Sequence, residues 1–306
     1  MQDQRPGGSL ENEAIVTRNQ AIELLRIVSA YAIIGYHSNY SGHNVFYTGL
    51  VVFAILSPML DAGVNWYRPR SAAMLAKALL LPWAFWMLFY GLLSVPRHQP
   101  IVGMEHGVVR GVLMGTAGHL WFLPYLWVVL VTLNAVKRRV APRTVFFVTL
   151  AGATGLLLTV SWWRPWSIAI DSPFTQFIHV TPMVLVGIAY GVSRSLRTHL
   201  LWLLPLGVAL AYVASLGLEG VSLPYALGAG LVVIADIMGR RLPRRWTVES
   251  VSRCMMGVYL SHIFWLLCVG RVSSPVGYGG ITVTFLLALG SVWAARRYLP
   301  VTRRIT

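Results

Sequence analysis

Two ionisable residues stand inside an apolar run. Residues 21–40 read AIELLRIVSAYAIIGYHSNY, with Arg26 and His37 eleven positions apart. A helix turns about 100° per residue, so eleven steps return His37 to within about 20° of Arg26 and about 16.5 Å further along the axis. Glu23, Ser29, Ala30, Ile33 and Tyr40 fall within about 60° of the same line. Charges in a bilayer cost several kcal/mol unless they are paired or face a wet interior. The stripe is therefore expected to face inward, with Glu23 pairing to Arg26 at i, i+3. A histidine exchanges its proton near neutral pH and suits general-base work. A guanidinium holds phosphate through its planar fork. Taken singly, Arg26 reads as snorkelling to the interface and His37 as satisfied by a neighbouring carbonyl or hydroxyl. Their joint placement on one face points instead to a path through the protein.

Composition fixes the setting of that helix. The chain has 306 residues, 56% hydrophobic and 11% charged, with mean hydropathy +0.64. Soluble domains carry about 25% charged residues, so soluble, disordered and coiled-coil classes are excluded. Twelve Trp, thirteen Tyr and eleven Phe suit membrane interfaces. A bilayer core about 30 Å thick takes about 20 apolar residues per crossing. The expected fold is an all-α, polytopic integral membrane protein of about ten transmembrane helices, with both termini cytoplasmic. Spans are predicted at 22–40, 45–62, 74–94, 119–136, 144–162, 176–193, 199–218, 221–238, 251–270 and 279–298. Residues 1–20 are expected to form a short polar cytoplasmic tail containing Pro6-Gly7-Gly8-Ser9, residues 21–300 a single membrane domain, and residues 301–306 a basic cytoplasmic tail. No cleavable signal peptide is expected. Cys254 and Cys268 lie fourteen residues apart in one apolar stretch. On one helix that is about 21 Å, too far for a disulfide.

The net charge is +15, and its placement carries the topology. With the N-terminus inside, twenty of the twenty-five Lys and Arg fall on cytoplasmic segments, four (Arg97, Arg110, Arg164 and Arg271) fall outside, and Arg26 lies within the first span. That asymmetry is what the positive-inside rule demands. The basic face is read as topology determinants and contact with anionic lipid, with a minority left for an anionic cytoplasmic ligand. Nucleic-acid binding has no support.

Three ordered segments resemble the membrane acyltransferase-3 family. Ile22-Glu23-Leu24-Leu25-Arg26-x10-His37 is similar to its first-span signature. His119-Leu120-Trp121-Phe122-Leu123-Pro124 resembles its His-Leu-Trp-Phe-Leu segment at the fourth span, and Ser252 through Gly257-Val258-Tyr259-Leu260-Ser261-His262 its Ser-x-x-x-x-(Gly/Ile)-x-Tyr-Leu-x-His stretch in the ninth. The likeness covers residues 15–300. One departure stands in the second span, where the family's Phe-Phe-x-x-Ser-Gly segment is replaced by Val52-Phe53-Ala54-Ile55-Leu56-Ser57-Pro58. Pro58 is expected to kink or end that helix.

The resemblance implies a multi-pass enzyme of the bacterial inner membrane. Such an enzyme takes an acyl group, often acetyl, from cytoplasmic acyl-CoA and passes it to a hydroxyl of an extracytoplasmic or lipid-linked glycan or another small acceptor. Arg26 and His37 match the family's essential pair. No permanently bound cofactor and no metal is implied; acyl-CoA is the donor substrate. His37 would act as general base or as an acyl carrier, and Arg26 would hold the CoA phosphate end. Glu23, Arg68, Arg70, Trp121 and Phe122 are the expected donor-binding residues, with Trp121 and Phe122 as tunnel walls. His119, Tyr259, Ser261 and His262 are candidate supports for His37. The outer loop at 95–118, with Arg97, His98, Glu105, His106 and Arg110, is a candidate dock for the acceptor, since loops longer than about 15 residues are often functional. Asp171 and Glu219 are the other outer carboxylates. The competing class is a multi-span carrier exporting a small polar solute or lipid-linked sugar, for which paired, broken half-repeats are expected and none is visible. The acceptor, the acyl chain and the oligomeric state have no signal in the sequence.

Overall fold

Helices occupy all ten of the predicted segments, though not always as single straight rods. A computed structural model describes residues 19–40, 42–63, 66–98, 101, 107–197, 200–239 and 248–305. Its α-helices are α1 (Gln20–His37), α2 (His43–Phe46), α3 (Thr48–Gly63), α4 (Ala72–Ser94), α5 (Val108–Met114), α6 (Phe122–Lys137), α7 (Pro142–Leu158), α8 (Val160–Ile168), α9 (Phe174–Leu196), α10 (Leu204–Ser215), α11 (Ser222–Met238), α12 (Glu249–Ser252), α13 (Met255–Val272) and α14 (Tyr278–Tyr298). No strand occurs among the described residues. The Pro6–Ser9 head, Glu105, His106 and the arginines at 240, 241, 244 and 245 lie outside them.

Five units are long and apolar enough to cross a membrane by themselves: the joined α2–α3, α4, α9, α13 and α14. The bent pair α7–α8 makes a sixth if it is one span, while α6, α10 and α11 are apolar but shorter. Leu88, Leu92, Val148, Leu204, Val208, Leu286 and Trp293 are each more than half exposed. Water does not tolerate so wide an apolar surface, and a bilayer requires one. The chain is a multi-pass membrane protein.

α1 is tied down at both ends. Asn19 caps it, accepting from the N–H groups of Ala21 and Ile22 at 3.0 and 3.1 Å. The same side chain donates to the carbonyls of Ala235 and Asp236 in α11, at 3.3 Å each. The helix stops at His37, three residues short of the predicted limit. Ser38 donates to the Gly35 carbonyl at 2.8 Å, and Asn39 turns left-handed at φ 56°, a conformation that asparagine tolerates and most residues avoid. Tyr40 therefore leaves the stripe and packs on Tyr278, with ring centroids 5.1 Å apart. The rest of the stripe does face inward: Glu23, Ser29, Ala30 and Ile33 are buried, while Leu24 and Val28 on the opposite side are exposed.

α3 is the central packing element. Its interface with α9 is the most extensive in the fold. Gly187 and Gly191, four residues apart on α9, lie so near the Ile55 and Met59 carbonyls of α3 that a Cβ at either would overlap them. Gly49 of α3 approaches the Ser29 carbonyl of α1 in the same way, and Gly228 of α11 approaches Val51. Small residues at such spacing let membrane helices pack backbone to backbone. Pro58 does not end α3, which continues to Gly63.

The predicted span at 144–162 is instead broken at Thr159, where α7 and α8 meet at 75°. The Thr159 hydroxyl donates to the Gly155 carbonyl and the Trp163 indole to the Leu156 carbonyl, both at 2.7 Å. The Gly155 carbonyl also keeps the Thr159 backbone N–H at 3.0 Å, while the Trp163 indole takes up the Leu156 carbonyl beyond it. At the far end of the chain, Trp86 of α4 donates to the Ile305 carbonyl at 3.1 Å, holding the last residues against the bundle.

Gly191→Leu is expected to destabilise the protein by about 1–3 kcal/mol or more, because backbone cannot yield to the new side chain. Gly207→Ala, where a Cβ meets nothing within 4 Å, is the control. Thermal melting in detergent checks both: the first variant should melt earlier and the second should not.

Candidate active site

At the N-terminal end of α1, Arg26 Nη1 lies 3.3 and 3.2 Å from the two carboxylate oxygens of Glu23. Glu23 also accepts the hydroxyl of Ser252 in α12, which draws the start of α13 against α1. The Glu23 side chain is 6% exposed and that of Arg26 28%, so the guanidinium is paired yet still open to space beside it. That space consists of two cavities that share Arg26, Ser57, Leu126 and Met256. One, of about 260 Å³, is mainly apolar and is walled by Phe53, Phe122 and Tyr259. The other, of about 390 Å³, holds Asp61, Arg68, Arg70, Asn134 and Lys137.

The second cavity is organised by Asp61, the buried carboxylate near the end of α3. It receives the Arg70 guanidinium (Nε at 2.8 Å), Asn134 Nδ2 at 2.8 Å and Lys137 Nζ at 3.0 Å. The Asn134 side-chain oxygen accepts the Arg70 backbone N–H at 2.7 Å, fixing the loop that carries Arg68 and Arg70. Lys137 and Asp61 are both almost wholly enclosed. Arg26, Arg68, Arg70 and Lys137 surround this space against one carboxylate of its own, so its field is positive. Part of Arg70's charge is already spent on Asp61. Sequence reasoning missed Asp61 and Asn134 and assigned Lys137 to topology. The signal for Asp61 was a lone carboxylate closing an apolar run nine residues before Arg70.

At the other end of α1, three histidines converge. The His37 ring lies 5.1 Å from that of His262 and 6.3 Å from that of His119, and the latter two are 4.8 Å apart. His262 Nδ1 bonds to the Tyr259 carbonyl, and His119 Nε2 to the Leu260 carbonyl at 3.2 Å. A carbonyl only accepts, so each of these nitrogens carries the proton, and in the neutral ring the other nitrogen is bare. Those bare atoms, His262 Nε2 and His119 Nδ1, are buried and make no hydrogen bond with a described residue. His37 thus stands beside two vacant acceptors. The Tyr259 hydroxyl donates to the His119 carbonyl. Tyr90 of α4 donates to the Leu260 carbonyl at 2.8 Å and accepts the Phe264 N–H at 3.2 Å. These bonds hold α4, α13 and the segment before α6 in register. Tyr90 gave no sequence signal. Ser261 is buried one position, about 100°, round the helix from His262, and its hydroxyl has no partner among the described residues.

Neighbouring cavities that share lining residues lie between the two ends. A cavity of about 150 Å³ beside His37 is lined by Tyr36, His119, Trp121, Gln176 and Tyr259, the last shared with the apolar cavity at Arg26. Trp121 thus walls the His37 side and Phe122 the Arg26 side. Beyond His37, a further cavity of about 370 Å³ shares Tyr36, Tyr47 and Gln176. Elsewhere, Arg110 pairs with Asp171 at 2.8 Å and His43 with Glu219 at 2.9 Å. Cys254 and Cys268 are free thiols, and no trio of His, Cys, Asp or Glu among the described residues is placed to hold a metal ion.

A multi-pass helical protein with a cationic cavity at one end of a helix and a histidine cluster at the other is the class defined so far. The chain belongs to the acyltransferase-3 family, whose profile, described as an acyltransferase domain, matches residues 19–295. It is a membrane acyltransferase. No curated protein and no solved structure matches the chain.

Asp61→Ala leaves Lys137 buried without its counter-charge, a loss of about 3–5 kcal/mol for such pairs. The variant should melt well below the parent in detergent. Asp61→Ala/Lys137→Met should regain most of that loss.

Proposed function

We propose that this protein moves an acyl group, acetyl foremost, from cytoplasmic acyl-CoA to a hydroxyl of an extracytoplasmic or lipid-linked glycan, in the inner membrane of a bacterium. In this reading the residue 21–300 domain crosses the bilayer ten times with both termini in the cytoplasm. The supporting observation is that Arg26 and His37 line successive members of one series of cavities along α1. Their separation of about 16.5 Å on the helix is close to the reach of an extended pantetheine arm.

The Arg26 cavity is the place for the phosphates. A thioester lies at His37 when the nucleotide end lies among Arg26, Arg68, Arg70 and Lys137, with Phe122 and Trp121 along the arm between. Arginine suits this role because its fork grips phosphate oxygens in pairs. Glu23, bonded to Ser252, holds the Arg26 guanidinium in place rather than touching an anion itself.

At His37 two routes share the same geometry. As a base, His37 takes the proton of the acceptor hydroxyl while its oxygen attacks the thioester carbonyl; the C–S bond then breaks and the departing thiolate recovers the proton. As a carrier, the bare imidazole nitrogen attacks the thioester carbonyl and the C–S bond breaks, releasing the thiolate; the acceptor oxygen then attacks the same acyl carbon, the C–N bond breaks, and the hydroxyl proton passes to the thiolate. Either route needs one ring nitrogen of His37 bare toward the substrate. The protonated nitrogens of His262 and His119 are engaged by backbone carbonyls, so neither ring offers an N–H that would occupy the bare nitrogen of His37.

His37→Ala should lower acyl transfer by at least about a hundredfold, the usual share of a positioned base, with membrane insertion intact. The readout is the acetyl content of surface polysaccharide from cells carrying parent or variant. Arg26→Ala should weaken acetyl-CoA binding to the purified protein roughly tenfold in calorimetry, with Arg26→Lys in between. Unchanged affinity would return Arg26 to interface snorkelling.

A further inference from the structure

The cavity beyond His37 contains chemistry that donor binding does not use. Resting on the acyltransferase reading, we infer that it is the acceptor subsite and that it selects a sugar carrying an acidic group, a carboxylate or a phosphate, recognised by Arg164. At about 370 Å³ it lies within the usual range for small-ligand sites, about 300–1,000 Å³. It adjoins the His37 cavity through Tyr36, Tyr47 and Gln176, so a molecule seated in it can present a hydroxyl to His37.

Three features point to a hydroxylated ligand. His179 is 4% exposed and lines the cavity, and its Nδ1 has no hydrogen-bond partner among the described residues. The side-chain oxygen of Gln176 is buried and likewise unpartnered, while its nitrogen is held by the Ser172 hydroxyl at 2.8 Å. Buried polar atoms without partners are costly and rare, and here two belong to residues that line one cavity. Tyr36 and Tyr47, with ring centroids 5.1 Å apart, supply flat apolar surface of the kind that packs on a sugar ring.

The acid follows from Arg164. The carboxylate lining the cavity is Glu219, which is engaged by His43 at 2.9 Å. Arg164 makes no ion pair with a described residue. It reaches the cavity from α8, the helix turned 75° away from α7. Its Nη2 and the His179 ring flank Gly220, where a Cβ would come within 3.9 and 4.0 Å of them. Gly220 takes φ 72° and donates its N–H to Asn44 at 2.8 Å, so the loop between α10 and α11 is fixed there without a side chain filling the site. An unpaired guanidinium beside hydroxyl-binding groups matches a sugar acid or sugar phosphate.

The test uses the full-length protein in lipid nanodiscs and saturation-transfer NMR, which reads weak ligands. The probes are glucose, glucuronate and glucose 1-phosphate, each titrated against the parent, Arg164→Gln and Arg164→Lys. At least one anionic probe should bind the parent roughly tenfold more tightly than glucose. That preference should vanish in Arg164→Gln and partly return in Arg164→Lys. Binding of glucuronate alone assigns a carboxylate, and of glucose 1-phosphate alone a phosphate. Equal binding of all three, no binding of any, or a preference that survives Arg164→Gln would overturn the inference. Acetyl-CoA binding measured on the same parent sample separates this failure from failure of the acyltransferase reading, which would show as no donor binding.

Discussion

A charge inside a bilayer must have a counter-charge, a hydrogen bond or water, and α1 is organised by that demand. Removing Glu23 from Arg26 would leave a guanidinium in an environment where solvation is scarce. With Glu23 at one side and a cavity at the other, the guanidinium is stable and still reachable. The same rule explains why Asp61 collects Arg70, Asn134 and Lys137. Each buried charge is matched by partners from other helices, so pairing also sets which helices surround the path. The polar stripe therefore acts as a packing instruction, and its Arg26, Ile33 and His37 also line cavities along α1.

Rigidity at the histidine end has a different source. Backbone carbonyls of α13 fix the rings of His119 and His262, while Tyr90 donates to the Leu260 carbonyl and Tyr259 to the carbonyl of His119. Along α3, glycines on α9 and α11 and within α3 itself bring helices into close contact. Close backbone packing leaves little room for side-chain rearrangement. α4, α10 and α14 present broad apolar faces outward.

Periodicity made the inward stripe legible: Arg26 and His37 lie on one side of α1, and the pairing of Glu23 follows from spacing alone. Hydropathy located the helical segments, and three short segments carried the family. What escaped is long-range. Asp61, Tyr90, Gln176 and His179 act through partners distant in the chain, and no local pattern marks such a partner. The break at Thr159 escaped because the residues around it are apolar on both sides, and hydropathy does not distinguish a bent pair of helices from one rod. Tyr40 left the stripe because Ser38 and Asn39 end the helix first, a local signal that the apolar run concealed. The acceptor dock expected in the 95–118 loop rested on loop length. The unpartnered polar atoms lie instead beside α8 and α9, in a cavity assembled from several separate segments.

The central claim is that one ligand spans α1 with its phosphates at Arg26 and its acyl carbon at His37. A cryo-EM structure of the full-length protein with an acetyl-CoA analogue whose sulfur is replaced by an unreactive linkage addresses it directly. The account predicts phosphate oxygens within hydrogen-bond distance of Arg26, and the acyl carbonyl carbon in the cavity lined by His37, His119 and Tyr259, within about 4 Å of a His37 ring nitrogen. An analogue whose acyl end lies away from His37, or whose phosphates sit away from Arg26, would contradict it.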